Sequence, residues 1–126
     1  VVHGFAAPLG GMWKAPHGAL CAAVLPHGMA ANVAALRTRA PRHPALERYT
    51  VIARLLTGRN EARAEDGFDW VRGLCAELNI PSLRVWGVTE ADLPGVVEKA
   101  ARASSMQANP LLLTSEELLA VIAAAL

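Results

Sequence analysis

Cysteine is scarce in this sequence, with only Cys21 and Cys75 among 126 residues. Two cysteines are too few for the disulfide framework of a small secreted domain, so we predict buried free thiols in a reducing compartment. Long apolar stretches are missing as well, because no uninterrupted run reaches the roughly 18 residues of a membrane span. The sequence therefore predicts a cytoplasmic protein with no membrane partner.

Aromatic residues and excess charge are also in short supply. Aromatics make up 5% of the chain, and the formal net charge is +1. The arginines are scattered, and the few aromatic residues do not alternate with them as a base-stacking platform would require. Without a basic patch there is no electrostatic attraction for a phosphate backbone. We therefore expect no nucleic-acid partner.

Several motifs of nucleotide-binding and hydrolytic enzymes are absent. The chain contains no G-x-G-x-x-G, no Walker loop and no G-x-S-x-G, so it has no phosphate cradle or nucleophile elbow of its own. It has no convincing strand alternation and no internal repeat. What it does have is a composition that is 53% hydrophobic and 18% charged, which suits a packed globular core. Residues 1–126 are thus predicted to form one domain.

Helical periodicity runs through most of the chain. Proline and glycine interrupt it, and two capping-box patterns, at Thr89 and Thr114, open later helices. The apolar spacing predicts a single all-α domain of about six to seven helices. The expected helices are residues 1–13 (with a kink or break at Pro8), 16–38 (kinked at Pro26), 44–57, 61–78, 90–103 and 114–126, with 82–86 ambiguous and 104–113 a loop.

Histidines supply the first candidate for chemistry. His3 and His17 are fourteen residues apart, a separation of about 21 Å on one unbroken helix. Two ligands of one metal ion need ring nitrogens within about 4 Å of each other, so a shared role requires the chain to fold back. Gly10-Gly11 and Pro16 permit such a turn. The alternative is two unrelated histidines, one exposed at the start of the chain and one capping a helix.

The remaining candidates favour structural roles. His27 follows Pro26 within a helix, where we expect it to bond carbonyl groups freed by a kink or to lie at a pocket wall. His43 is expected to be solvated in a polar loop. The three tryptophans, Trp13, Trp70 and Trp86, are interpreted as core or interface anchors.

The sequence resembles the iron-containing alcohol dehydrogenases over essentially its whole length. The histidine-rich opening is the most specific part of the resemblance, and the spacing of the later motifs is intact. The matching segments are His3-Gly4-Phe5-Ala6-Ala7-Pro8-Leu9-Gly10-Gly11, Pro16-His17-Gly18, Leu25 to Asn32, Leu78 to Pro81, Gly87 to Pro94, Asn109-Pro110 and Leu113 to Leu118.

This resemblance implies an all-helical domain of the dehydroquinate synthase-like type, as found at the C-terminus of that family. In the family, one aspartate and three histidines hold Fe(II) or sometimes Zn(II), and an α/β domain binds NAD or NADP. His3 and His17 match the last two histidines. The other two ligands and the nucleotide-binding domain would lie upstream of Val1. The implied substrate is a small alcohol or aldehyde, and the resemblance allows a homo-oligomer.

Two positions bear on details of the implied site. Many family members carry a histidine for proton transfer where this chain has Ala7, so water, the cofactor ribose or another side chain would have to relay the proton. Ser105 lies in a loop that forms part of the substrate pocket in the family, and it is therefore a candidate pocket residue.

Two hypotheses for the function follow. The chain is expected to be the C-terminal fragment of a metal-dependent, NAD(P)-linked oxidoreductase, inactive by itself because only two of four ligands are present. The rival is a free-standing helical interaction module that descends from such a domain and has no catalytic activity.

Overall fold

The computed structural model describes all residues 1–126 and contains only helices and connecting turns. The single all-α domain predicted from periodicity is confirmed. Seven α-helices follow one another with two 3₁₀ turns, Leu83–Trp86 and Glu90–Asp92, before the fifth. The helices are α1 (Val2–Met12), α2 (His17–Arg39), α3 (Pro44–Thr57), α4 (Ala64–Glu77), α5 (Leu93–Ala101), α6 (Ser104–Gln107) and α7 (Ser115–Ala124).

The prolines and glycines near the start break the helices less than their sequence positions suggest. Helix α1 continues through Pro8 and the Gly10-Gly11 pair and ends only at Trp13, whose backbone is extended. Helix α2 likewise runs through Pro26. Pro26 is buried, so packing against the neighbouring helices offsets the lost backbone hydrogen bond.

The second half of the chain is more finely divided than the pattern predicted. The helix expected over residues 90–103 begins as the 3₁₀ turn and continues as α5, and the expected loop 104–113 contains the short helix α6. His43, expected in solvent, caps α3 instead. Its Nδ1 accepts a hydrogen bond from the backbone N–H of Ala45 at 3.1 Å.

The main core lies among α1, α2, α5 and α7. Sixteen buried residues form one apolar cluster there, and Trp13 and Trp86 pack against its edge. Phe5 and Leu9 from α1 and Leu20 and Val24 from α2 are completely buried in it. Burying an apolar side chain of this size contributes about 1.5–3 kcal/mol. The contact between α1 and α2 is therefore a strongly stabilised part of the fold.

Helices α3 and α4 pack on each other beside α2 through small residues. Gly67 of α4 lies so close to Ala53 of α3 that a methyl group at Gly67 would be 3.0 Å from the Ala53 Cβ. The larger apolar side chains are pushed to the flanks as a result. Leu74 of α4 is 36% exposed, and Leu78, the residue after the helix, is 62% exposed. Trp70 is exposed as well, which contradicts a core role for it and leaves the predicted interface role untested.

Helix α2 is the one helix whose length and composition would suffice to cross a bilayer. Within the fold, 56% of its most apolar 18-residue window is buried against other helices. The central helix of a globular domain meets the same criterion. Here α2 contacts α1, α3, α4 and α7, which makes it the central helix of the bundle.

Candidate metal centre

The start of α1 and the start of α2 meet at one point on the surface. The chain turns between Trp13 and Pro16, both of which have extended backbone. Helix α1 then lies across the first half of α2, since Gly10 approaches Leu20 and Val1 approaches Gly28. Buried side chains of both helices fix this crossing, so the position of the surface site is set by the core beneath it.

The turn brings the two predicted histidines together. His3 Nδ1 and His17 Nε2 are 3.3 Å apart, and the two rings stack with centroids 5.4 Å apart and an angle of 16° between their planes. Both side chains are exposed. In the metal-free chain this distance permits one imidazole N–H to donate to the other ring nitrogen.

Cys21 offers a third candidate ligand atom for a metal ion, which was not predicted from the sequence. Its Sγ lies 3.4 Å from His17 Nε2 and 3.9 Å from His3 Nδ1. The signal that could have found it is the spacing, because residues four apart lie on the same face of a helix and Cys21 follows His17 by four. The sequence predicts a buried thiol, whereas Cys21 is half-buried at the edge of the core.

Cys75 does not belong to this cluster. Its half-buried Sγ donates to the carbonyl oxygen of Ala22 at 3.5 Å, as a structural thiol would. Burial raises the pKa of both cysteine thiols, Cys21 and Cys75. In the metal-free chain both are therefore neutral thiols at pH 7.

The donor set fits a divalent transition metal. The ligand atoms of His3, His17 and Cys21 all lie within 4.8 Å of one another. Two nitrogens bound at about 2.1 Å to one tetrahedral ion would be about 3.4 Å apart, close to the 3.3 Å between the two histidines. Imidazole suits zinc, iron, copper and nickel. The residues of this chain can thus hold part of a metal site.

The other predicted residues lie elsewhere. Ser105 is half-buried on α6, and its neighbour Met106 packs against Gly4, the residue after His3. Helix α6 therefore lies against the histidine-bearing end of α1. His27 makes no hydrogen bond to the protein, and of its two predicted roles the structure shows the second, since it lines a cavity of about 170 Å³ with Arg72.

The largest surface cavity lies apart from these residues. It has a volume of about 450 Å³ and is formed by α5 and α7, with Val97, Glu98 and Leu119 in its lining. Neither the two histidines nor Ser105 contributes to it. Cavity size therefore does not mark the candidate metal centre, whose two histidines are exposed on the surface of this chain.

Comparison with known proteins decides the family. Residues 1–126 match the sequence profile described as the Fe-containing alcohol dehydrogenase family, C-terminal. The chain belongs to this family. The resemblance read from the histidine-rich opening is thereby confirmed.

Curated relatives agree with the assignment. The chain is 32% identical over 126 residues to 1,3-propanediol dehydrogenase of Klebsiella pneumoniae, covering 95% of this chain and 30% of that protein. It is also 32% identical over 122 residues to alcohol dehydrogenase 4 of Saccharomyces cerevisiae, covering 96% and 30%. The chain thus spans about 30% of the length of the curated relatives it matches.

Solved structures share the fold. The structure of a 1,3-propanediol oxidoreductase superimposes with a TM-score of 0.83 at 29% identity, covering 99% of this chain and 32% of that one. A mutant of an archaeal halo-thermophilic alcohol dehydrogenase from a Red Sea brine pool gives 0.84 at 24% identity, covering 100% and 32%. The helical arrangement is therefore the C-terminal domain fold of the iron-containing alcohol dehydrogenases.

Proposed function

We propose that this chain is the C-terminal part of a metal-dependent, NAD(P)-linked alcohol dehydrogenase or aldehyde reductase, in which it supplies the metal ligands His3 and His17. The observation that carries the proposal is the 3.3 Å between the two ring nitrogens. Residues fourteen apart in sequence reach ligand distance only because α1 crosses α2. The family assignment and the names of the relatives support the same activity.

The proposed site is shared between this chain and residues upstream of Val1. His3 and His17 would hold Fe(II), or Zn(II), together with an aspartate and a histidine from that upstream part, and a nucleotide-binding domain that also lies upstream would bind the cofactor. When bound, the metal ion would supply Lewis-acid polarisation of the substrate oxygen and NAD or NADP would supply hydride transfer, so that oxidation of a small alcohol to an aldehyde would also release one proton.

This chain contributes no base for that proton at Ala7, because a methyl group can neither accept nor donate one. A water molecule, the cofactor ribose or another side chain would carry the proton instead. Ala7 and both histidines are exposed in this chain by itself.

Ser105 is proposed to line the substrate pocket. Its helix α6 lies against α1 through the contact of Met106 with Gly4, which places it beside the helix that bears His3. A hydroxyl group there could hydrogen-bond a polar group on a small alcohol or aldehyde. The proposal also includes a cytoplasmic location, supported by two cysteines that are both free.

The rival proposal is a stand-alone helical interaction module without catalysis. One observation favours it: the chain has a continuous core of its own, with sixteen buried residues. Gene context separates the two hypotheses. A reading frame that extends upstream into a nucleotide-binding domain supports the enzyme, whereas a natural start codon at or near Val1 supports the module.

A chimera tests the catalytic proposal directly. The part of Klebsiella pneumoniae 1,3-propanediol dehydrogenase that this chain does not match would be joined upstream of Val1 and loaded with Fe(II). NAD(P)-linked oxidation of 1,3-propanediol and iron content by elemental analysis are measured. We expect turnover and bound iron in the chimera, and neither in the isolated chain.

Two variants of the chimera test whether His17 is a metal ligand. His17→Ala should lose bound iron and at least about a hundredfold in turnover, because a metal ligand is gone. His43→Asn should retain both, since asparagine can also cap α3. A folded chimera whose His17→Ala variant keeps its iron and its turnover would contradict the proposal. Micromolar iron affinity with turnover from the isolated chain would do so as well.

A further inference from the structure

The Cys21 thiol lies beside the ring nitrogens of both histidines. It shares a face of α2 with His17, and its Sγ lies 3.4 Å from His17 Nε2 and 3.9 Å from His3 Nδ1. Its sulfur therefore faces both ring nitrogens at once. A thiol that only filled core space would have apolar neighbours on this side.

The triangle of donor atoms matches a single tetrahedral ion. Bonds of about 2.1 Å to nitrogen and about 2.3 Å to sulfur would place the two nitrogens about 3.4 Å apart and each nitrogen about 3.6 Å from the sulfur. The observed separations are 3.3, 3.4 and 3.9 Å. Shifts of a few tenths of an ångström would bring all three atoms onto one ion, and the two exposed histidines are free to make them.

The chemistry of the three donors points to a particular class of metal. Thiolate is a soft ligand that favours zinc over harder ions, and two imidazoles suit the same metal.

We propose that Cys21 is a third metal ligand of this chain, so that His3, His17 and Cys21 together bind Zn(II) or Co(II) in preference to Fe(II). The inference rests on the proposed role of the two histidines and adds the thiolate and the metal preference. On binding, the Cys21 thiol loses its proton to solvent and a metal–sulfur bond forms. The competing explanation is an S–H···N hydrogen bond from Cys21 to His17 with no metal role.

Cobalt spectroscopy separates these explanations. The metal-free chain is titrated with Co(II) under a reductant that contains no thiol, and near-ultraviolet absorption is recorded for sulfur-to-cobalt charge transfer. We expect this band in the wild-type chain and its disappearance in Cys21→Ser. The matched control Cys75→Ser removes the other thiol, which bonds to the Ala22 carbonyl, and should leave the band unchanged.

Metal competition tests whether Cys21 makes the site prefer Zn(II) to Fe(II). The ratio of Zn(II) to Fe(II) affinity, measured without oxygen, should fall at least about tenfold in Cys21→Ser. It should not change in Cys75→Ser. Circular dichroism establishes that each variant is folded before it is compared.

The possible results separate the thiolate role of Cys21 from the ligand role of the two histidines. If wild type and Cys21→Ser bind zinc equally and His17→Ala does not, the thiolate role is wrong and the histidine ligands stand. If the wild-type chain shows no charge-transfer band, or binds no metal at all, the thiolate role is also wrong. The chimera then still tests the proposed function separately, because it supplies the two metal ligands that would lie upstream of Val1.

Discussion

Asn32 and Asn109 join their side-chain amides in a reciprocal pair across 77 residues of sequence. Asn32 Nδ2 donates to Asn109 Oδ1 at 3.0 Å, and Asn109 Nδ2 donates to Asn32 Oδ1 at 2.7 Å. Asn32 also donates to the Tyr49 hydroxyl oxygen at 3.0 Å. Asn32 is the one buried polar residue of the domain. These hydrogen bonds connect the segment after α6 to the middle of α2, and they thereby stabilise the position of α6 and Ser105 beside α1.

Removing this pair should destabilise the fold. Asn32→Ala leaves the Asn109 amide and the Tyr49 hydroxyl without their partner, which costs about 1–3 kcal/mol of unfolding free energy. Urea denaturation measures it. The control Asn60→Ala lies in an exposed turn and should change stability by less than about 0.5 kcal/mol. Equal stability of the two variants would contradict the structural role of the pair.

Two glycines of α4 should respond to alanine in opposite ways. A methyl group at Gly67 would be 3.0 Å from the Cβ and 3.2 Å from the Cα of Ala53, whereas one at Gly73 would meet nothing within 4 Å. Gly73→Ala should therefore stabilise the domain by about 0.5–1 kcal/mol through backbone entropy. Gly67→Ala should destabilise it by about 1–3 kcal/mol, because α3 and α4 must separate. Thermal unfolding measures both, and a gain in Gly67→Ala would show that this helix contact yields easily.

The start of α7 depends on a capping box. Thr114 Oγ1 accepts the backbone N–H of Glu117 at 3.2 Å, and the Glu117 carboxylate accepts the Thr114 N–H at 2.7 Å. Thr114→Ala should cost about 0.5–2 kcal/mol, measured by urea denaturation. Thr114→Ser keeps the hydroxyl and should stay near wild type. If serine and alanine destabilise equally, the hydroxyl hydrogen bond is not what stabilises this end.

His27 should make stability depend on pH. Burial, and secondly the positive charge of Arg72, lower the pKa of His27 from its ordinary value of 6.5. Between that lowered pKa and 6.5 the unfolded chain binds more protons, so the folded state loses stability as pH falls through this window. Above pH 6.5 both states are neutral and the contribution is zero.

A variant isolates this effect from other titrating groups. The stability of wild type relative to His27→Gln should be constant above about pH 7 and should decrease toward pH 5. The subtraction removes contributions common to both proteins. Urea denaturation at a series of pH values gives the difference. A difference that does not vary with pH would show that the environment of His27 does not disfavour its charged form.

Some features of the fold could be predicted from the sequence and others could not. Helical periodicity predicted the all-α fold because side chains three and four apart share a face whatever the tertiary context. The Thr114 capping box predicted the start of α7, because its hydrogen bonds join residues only three apart in the sequence. Sequence-based prediction failed at His43, where the capping role depends on the backbone geometry before Pro44. It also failed for a core role of Trp70, whose exposure depends on how α4 packs.

The sequence by itself determined the family, the helical content and the two histidines to examine, because each of these rests on local spacing and residue type. Only the tertiary structure decided that the two histidines meet, since the crossing of α1 over α2 follows from burying Phe5, Leu9, Leu20 and Val24 together. It also decided that Cys21 faces them and that Asn32 pairs with Asn109. Such contacts depend on which helix faces pack, and packing is a property of the whole core.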